Sequence, residues 1–158
     1  MIGTVSTKEK ATLAKEHGCE FIINYKEEKV SNKVMEITNN QGVPVVYDGV
    51  GKDTFDESIK CLSTRGLMVS FGQSSGMVEK IDMHKTFNPK SLFYTRPSLM
   101  GYTLNREELI NCSNKVFDKM KKGDVKANIY KKFKLNEAEE AHKTLQSRKS
   151  SGSIILEP

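Results

Sequence analysis

Two hydroxyls and an ammonium, Ser6, Thr7 and Lys10, stand where a short strand-like run, Ile2-Gly3-Thr4-Val5, gives out. At the end of a parallel strand a carboxylate suits a ribose hydroxyl, whereas hydroxyls and a cation suit a phosphate monoester. A ligand-free reading exists for the same residues. Ser6-Thr7-Lys8-Glu9 fits a capping box, with the Ser6 hydroxyl accepting from a first-turn N–H and Glu9 reaching back, and Lys10 is then a surface lysine. Two further strand ends carry glycine, at Gly49 after Val43–Asp48 and at Gly72 within Phe71-Gly72-Gln73-Ser74. The absence of a side chain there lets a ligand approach the backbone closely.

Other chemistry is thinly represented. No residue stands out as a general acid, base or nucleophile, and no catalytic residue is assigned. Cys19, Cys61 and Cys112 are far apart and form no CxxC pair; they read as reduced, mostly buried thiols. His17, His84 and His142 are equally scattered, so no metal site is expected. The net charge of +5 is carried by lysines crowded into the first and last thirds. A solvated surface accounts for them, and nucleic acid is not an expected partner: Lys131-Lys132-Phe133-Lys134 offers only one aromatic for stacking. No apolar run approaches the roughly 20 residues that span a bilayer, and the N-terminus has no basic-then-apolar leader pattern, so a cytoplasmic location is expected.

Strand and helix signals alternate along the chain, the pattern of a parallel α/β sheet. Strands are expected at Met1–Val5, around Phe21-Ile22-Ile23, at Val43–Asp48, Leu67–Phe71 and Ser91–Arg96. Helices are expected from Ser6 to Gly18, from Lys26 to Asn40 with Val30, Val34 and Ile37 inward, and from Gly51 to Arg65 with Phe55, Ile59 and Leu62 inward. The stretch from Ser74 to Pro89 reads as irregular. A long amphipathic helix follows from Arg106 to Lys122. Beyond Gly123 the pattern changes: Ile129–Leu135 alternates like a one-sided antiparallel strand, a helix runs from Asn136 to Gln146, and Ser153–Leu156 is a last strand.

Three blocks, Val45-Val46-Tyr47-Asp48-Gly49-Val50-Gly51, Gly66-Leu67-Met68-Val69-Ser70-Phe71-Gly72 and Tyr94-Thr95-Arg96-Pro97-Ser98-Leu99, together with the closing Arg148–Pro158, give the chain a family likeness. It resembles the zinc-free, zeta-crystallin-like quinone oxidoreductases of the medium-chain dehydrogenase/reductase superfamily, over essentially all of its length. The resemblance implies an α/β fold: an incomplete Rossmann-like doubly wound parallel sheet at residues 1–122, then a returning segment of the GroES-like catalytic domain at residues 123–158. The first strand of such a sheet and its Gly-rich pyrophosphate turn have no counterpart among these residues, which contain no Gly-x-Gly-x-x-Gly.

The family's cofactor is NADPH and its reaction is hydride transfer to a quinone. By resemblance Ser6, Thr7, Lys10 and Tyr25 surround the adenosine 2′-phosphate. Gly49, Phe71, Gly72, Gln73, Ser74, Thr95 and Arg96 line the nicotinamide half, and Arg148 reaches the cofactor from the returning segment. The family often has serine where this chain has Gly49, which keeps the close approach and loses a hydroxyl. The expected assembly is a homodimer through the edge strand Ser91–Arg96, with a separate polypeptide as a possible source of the missing half. Losing a central strand leaves a slot between the strands at Ile2 and Val45, expected to close by direct pairing, by exchange with another chain or by a partner. Two principal readings stay open: a cofactor-binding portion of a quinone reductase, inactive alone, or a non-catalytic remnant or self-associating module. A weaker third, RNA binding, rests on charge alone.

Overall fold

A computed structural model describes residues 1–147 and 150–158. They form two compact units, Met1–Gly101 and Tyr102–Pro158. The first contains β1 (Ile2–Val5), α1 (Lys8–Glu16), β2 (Phe21–Asn24), α2 (Val30–Ile37), β3 (Val43–Asp48), α3 (Phe55–Cys61), β4 (Leu62–Ser70), α4 (Met83–Phe87) and β5 (Phe93–Thr95). One helical turn, α5 (Leu99–Tyr102), lies where the units meet in the sequence. The second unit contains α6 (Arg106–Lys121), β6 (Ile129–Lys134), α7 (Ala138–Gln146) and β7 (Ser153–Glu157).

Every strand pair is parallel: β1 with β2, β3 with β4, β4 with β5, and β6 with β7. The helices between consecutive strands are the crossovers that parallel pairing requires. The inward residues of α2 and α3 lie where their periodicity placed them. Val34 packs with buried Ile23 and Cys61, joined by Ile2, Val30, Ile37, Val43 and Val46. Phe55 packs with Leu62, Met68 and Phe87, joined by Val46 and Ile59. Val46 belongs to both clusters, so one strand ties the two halves of this core together.

The sheet breaks at the expected slot. Among the described residues β1 pairs with β2 alone and β3 with β4 alone, giving a two-stranded and a three-stranded sheet. Direct pairing of β1 with β3 does not occur. The crossover through α2, packed on α3 and into the shared core, fixes where β3 lies and does not bring it to the edge of β1.

Several element boundaries depart from the sequence expectations. The α1 cap is Thr7 rather than Ser6: the Thr7 hydroxyl accepts from the Lys10 N–H at 3.3 Å. The helix after β2 starts at Val30 because Asn24 holds Lys26, Glu27 and Glu28 in a turn, its side chain accepting from Lys26 and its carbonyl from the other two. It ends at Ile37, before Asn39 and Asn40 enter the left-handed region. Leu62 is buried, but from a strand: α3 stops at Cys61 and β4 begins at once. Arg65, at φ +60°, marks an irregularity inside β4 rather than a helix end.

The stretch from Ser74 to Pro89 is not wholly irregular. It contains α4, capped by the Asp82 side chain accepting from the Lys85 N–H, too short for a periodic signal. The fifth strand is only Phe93–Thr95, because Ser91 closes a 3₁₀ turn at φ +51°. In the second unit β6 and β7 are parallel, not antiparallel. Alternation reports which strand face is wet and is silent on strand direction, which the α7 crossover decides.

Candidate functional site: the strand ends of the first unit

Ser6 and Tyr25 directly follow the last residues of β1 and β2, Val5 and Asn24, which are register partners. The Tyr25 N–H donates to the Val5 carbonyl at 3.1 Å, so the two chain ends stay side by side. Thr7 and Lys10 come next on the first turn of α1. The structure therefore brings Ser6, Thr7, Lys10 and Tyr25 to one sheet edge. Glu9 lies in the same turn, but its carboxylate is engaged by a backbone N–H and by the Thr7 hydroxyl, which lower its pKa.

The second group lies at the ends of β3, β4 and β5. Their register aligns Asp48 with Ser70, and Val69 with Thr95. The loops that follow β3 and β4 are bonded to each other. The Ser74 N–H donates to Gly49 O at 3.3 Å, the Ser75 N–H to Val50 O at 2.9 Å, and the Lys52 N–H to Gly76 O at 3.1 Å. Arg96 joins from β5, donating to Ser70 O at 3.2 Å and to Gln73 Oε1 at 2.8 Å. Phe71 is exposed, with its ring against Gly49: a β-carbon on Gly49 would lie 2.9 Å from the ring edge. Gly49, Phe71, Gly72, Gln73, Ser74 and Arg96 thus form one bonded assembly, with Thr95 at its margin. Arg148, the last of the expected residues, lies outside the described residues.

The residue that sequence reasoning passed over is Asp48. Val46 and Asp48 share a face of β3 by the two-residue period of a strand, so the carboxylate reaches the helix side of the sheet and is buried. It accepts from the Val50 N–H at 2.8 Å, the Gly51 N–H at 3.0 Å, the Thr54 hydroxyl at 2.7 Å and the Ser58 hydroxyl at 2.7 Å. Burial pushes its pKa up, but the bonds from Ser58, Gly51, Thr54 and Val50 prevail and hold it below the usual carboxylate value. The signal was the four-residue step from Thr54 to Ser58, which puts both hydroxyls on one helix face.

Among the described residues no group of three or more His, Cys, Asp or Glu side chains could hold a metal ion. No helix among them is long and apolar enough to cross a membrane. The cysteines are free, with Cys61 buried, Cys19 half-buried and Cys112 exposed, which corrects the expectation that they are mostly buried. Burial pushes the Cys61 thiol up to about 11, which leaves it protonated and a poor nucleophile.

Both sheets of this unit are parallel, so the expected residues lie at the carboxyl ends of their strands, where ligands bind in open parallel α/β sheets. Fold and site thus define an α/β protein of the dinucleotide-binding type. Residues 1–122 match the family described as zinc-binding dehydrogenase, and the chain belongs to that family.

Its full length is 44% identical to quinone oxidoreductase 1 of Escherichia coli strain K12, of which it covers 49%. It is 43% identical to a 2-haloacrylate reductase from Burkholderia sp., again over the full chain and 48% of that protein. The crystal structure of Escherichia coli quinone oxidoreductase complexed with NADPH superposes with a TM-score of 0.93 at 46% identity, over 99% of this chain and 49% of that one. The chain spans about half the length of the curated relatives it matches, and it corresponds to the C-terminal half of a medium-chain quinone oxidoreductase.

Proposed function

We propose that this chain is the cofactor-binding portion of an NADPH-dependent reductase that delivers a hydride to a quinone. The observation that carries the reading is the presence of two groups at the strand ends: a hydroxyl-and-lysine group beside β1 and β2, and an arginine-braced pair of loops, in contact through Gly49 and Gly72, beyond β3, β4 and β5. The residues present fit the two ends of a dinucleotide. Ser6, Thr7, Lys10 and Tyr25 suit a 2′-phosphate, while Glu9, held ionised by Thr7 and a backbone N–H, opposes it by charge. Gly49 and Gly72 let the two loops close on each other, Gly72 against the Gly49 backbone and Gly49 against the Phe71 ring, and Gln73, Ser74, Thr95 and Arg96 stand around this contact where a nicotinamide ring is proposed to lie.

NADPH, when bound, supplies the hydride; the protein's part is to bind, orient and shield. The likeness to a 2-haloacrylate reductase widens the acceptor class to electron-poor alkenes. Between the two ends, at the slot, a dinucleotide would present its pyrophosphate, and the anion-binding turn that belongs there has no counterpart in these residues. We therefore read the chain as inactive alone and completed by a polypeptide segment that adds a parallel strand and a phosphate-binding turn between β1 and β3. A homodimer through β5 belongs to the same proposal, since only one edge of that strand is paired among the described residues.

The unpaired slot also supports the second reading, a non-catalytic remnant. A titration with NADPH and NADH separates the two. Nicotinamide fluorescence reports directly, because the chain has no tryptophan. Micromolar NADPH binding, tighter than NADH binding, supports the cofactor site; binding of neither favours the remnant.

A further inference from the structure

We propose that Asp48 is a positioning residue: its buried carboxylate clasps the turn after β3, and through that turn holds the loop after β4 and Arg96 in the arrangement that faces a nicotinamide ring. The assignment rests on the reading of this edge as a cofactor site, but its geometry stands by itself. One carboxylate collects two backbone N–H groups, from Val50 and Gly51, and two hydroxyls, from Thr54 and Ser58. Thr54 is the residue preceding α3, and its hydroxyl is committed to Asp48 rather than to capping that helix. The clasp therefore joins strand, turn and helix at one point.

The turn it fixes is the support for everything beyond. Val50 O accepts from both the N–H and the hydroxyl of Ser75, at 2.9 Å and 2.8 Å. The Ser75 hydroxyl accepts in turn from the Asp53 N–H at 3.0 Å. The Asp48 carbonyl accepts from the Phe71 N–H at 3.0 Å. Gln73, in the same loop, holds Arg96. Gly51 sits at φ +90° with no room for a side chain, since a β-carbon would come 2.7 Å from Gly76 O. No atom of Asp48 needs to touch a ligand for the residue to set where Gly49, Gly72 and Arg96 lie.

An isosteric Asp48→Asn change tests this, because an amide nitrogen cannot accept. Amide exchange by NMR on the full chain should quicken about tenfold at Val50, Gly51, Ser74, Ser75 and Gly76, with the Arg96 side-chain resonance moving, while Ile22 and Ile23 keep their rates. Uniform acceleration at all sites, or change confined to Val50 and Gly51, overturns the proposal. If Asp48→Asn does not fold, Ser58→Ala removes one donor and should give a weaker form of the same pattern. Where NADPH binds, Asp48→Asn should weaken it while leaving 2′,5′-ADP affinity unchanged; equal loss of both contradicts the assignment. Failure of the native chain to bind NADPH counts against the cofactor reading and leaves the exchange pattern to decide the role of Asp48.

Discussion

Gly72 lies against Gly49 so closely that a β-carbon on Gly72 would come within 2.5 Å of the Gly49 carbonyl oxygen and 2.9 Å of its α-carbon. The atoms met are backbone, fixed by the β3–β4 ladder, and cannot step aside. Gly72→Ala should therefore force the two loops apart and cost on the order of 1–3 kcal/mol. The reverse change is milder. A β-carbon on Gly49 meets only the ring of Phe71, an exposed side chain free to swing away. Thermal unfolding of Gly72→Ala and Gly49→Ala should show a larger loss for the former; equal losses would mean that the loops are not held in this contact.

Thr7 and Ser6 make a second contrast. Thr7 caps α1, so Thr7→Ala should cost about 1 kcal/mol by chemical denaturation, and Ser6→Ala much less. Under the cofactor proposal Ser6→Ala should still weaken NADPH binding without affecting NADH. Loss of stability equal to that of Thr7→Ala would return the cap to Ser6.

Glu57 provides a pH-dependent contribution. It accepts from the Ser31 N–H at 3.3 Å and pairs with Lys60 at 2.9 Å, joining α2 to α3. Burial raises its pKa, but the bonds from Lys60 and Ser31 dominate and bring it to about 2, from an ordinary value of 4.5. A depressed folded-state pKa means stability that is complete above about 4.5 and lost as pH falls towards about 2. The size is on the order of 1–2 kcal/mol once solvent screening of this partly exposed pair is allowed for. The stability difference between native protein and Glu57→Gln, followed by urea unfolding, should shrink across that window. A difference that stays constant with pH would show that the carboxylate is not held this way.

The parts of this fold that could be read from the sequence were those governed by one local rule. Val30, Val34 and Ile37 at helical spacing found their core, and Gly18, at φ +88°, ended α1 as a glycine does. The misreadings arose where two rules competed or where the deciding contact was distant. Thr7 and Ser6 are both competent caps, and only the backbone entry angle chooses between them. Leu62 looked inward on a helical period because burial alone does not distinguish the end of α3 from the start of β4. Asp48 went unnoticed because its meaning depends on Thr54 and Ser58 lying above it, a relation made by the turn between them. Ser6 and Tyr25 lie side by side because parallel register brings the ends of β1 and β2 together.

The slot leads to the last prediction. A strand paired on one side points alternate N–H groups at its partner and alternate ones away. In β1 and β3, amide exchange should therefore alternate between protected and fast residues, whereas β4, paired with both β3 and β5 along Leu67–Val69, should be protected throughout that stretch. Unpaired edges of this kind also invite association, so the alternation should fade as protein concentration rises if another copy enters the slot. Adding a polypeptide that supplies the strand and its phosphate-binding turn should abolish the alternation in β1 and β3 together and tighten the NADPH binding of the chain alone. Uniform protection of β1 and β3 in dilute protein would mean that the slot closes within a single chain, and the need for a completing segment would fall with it.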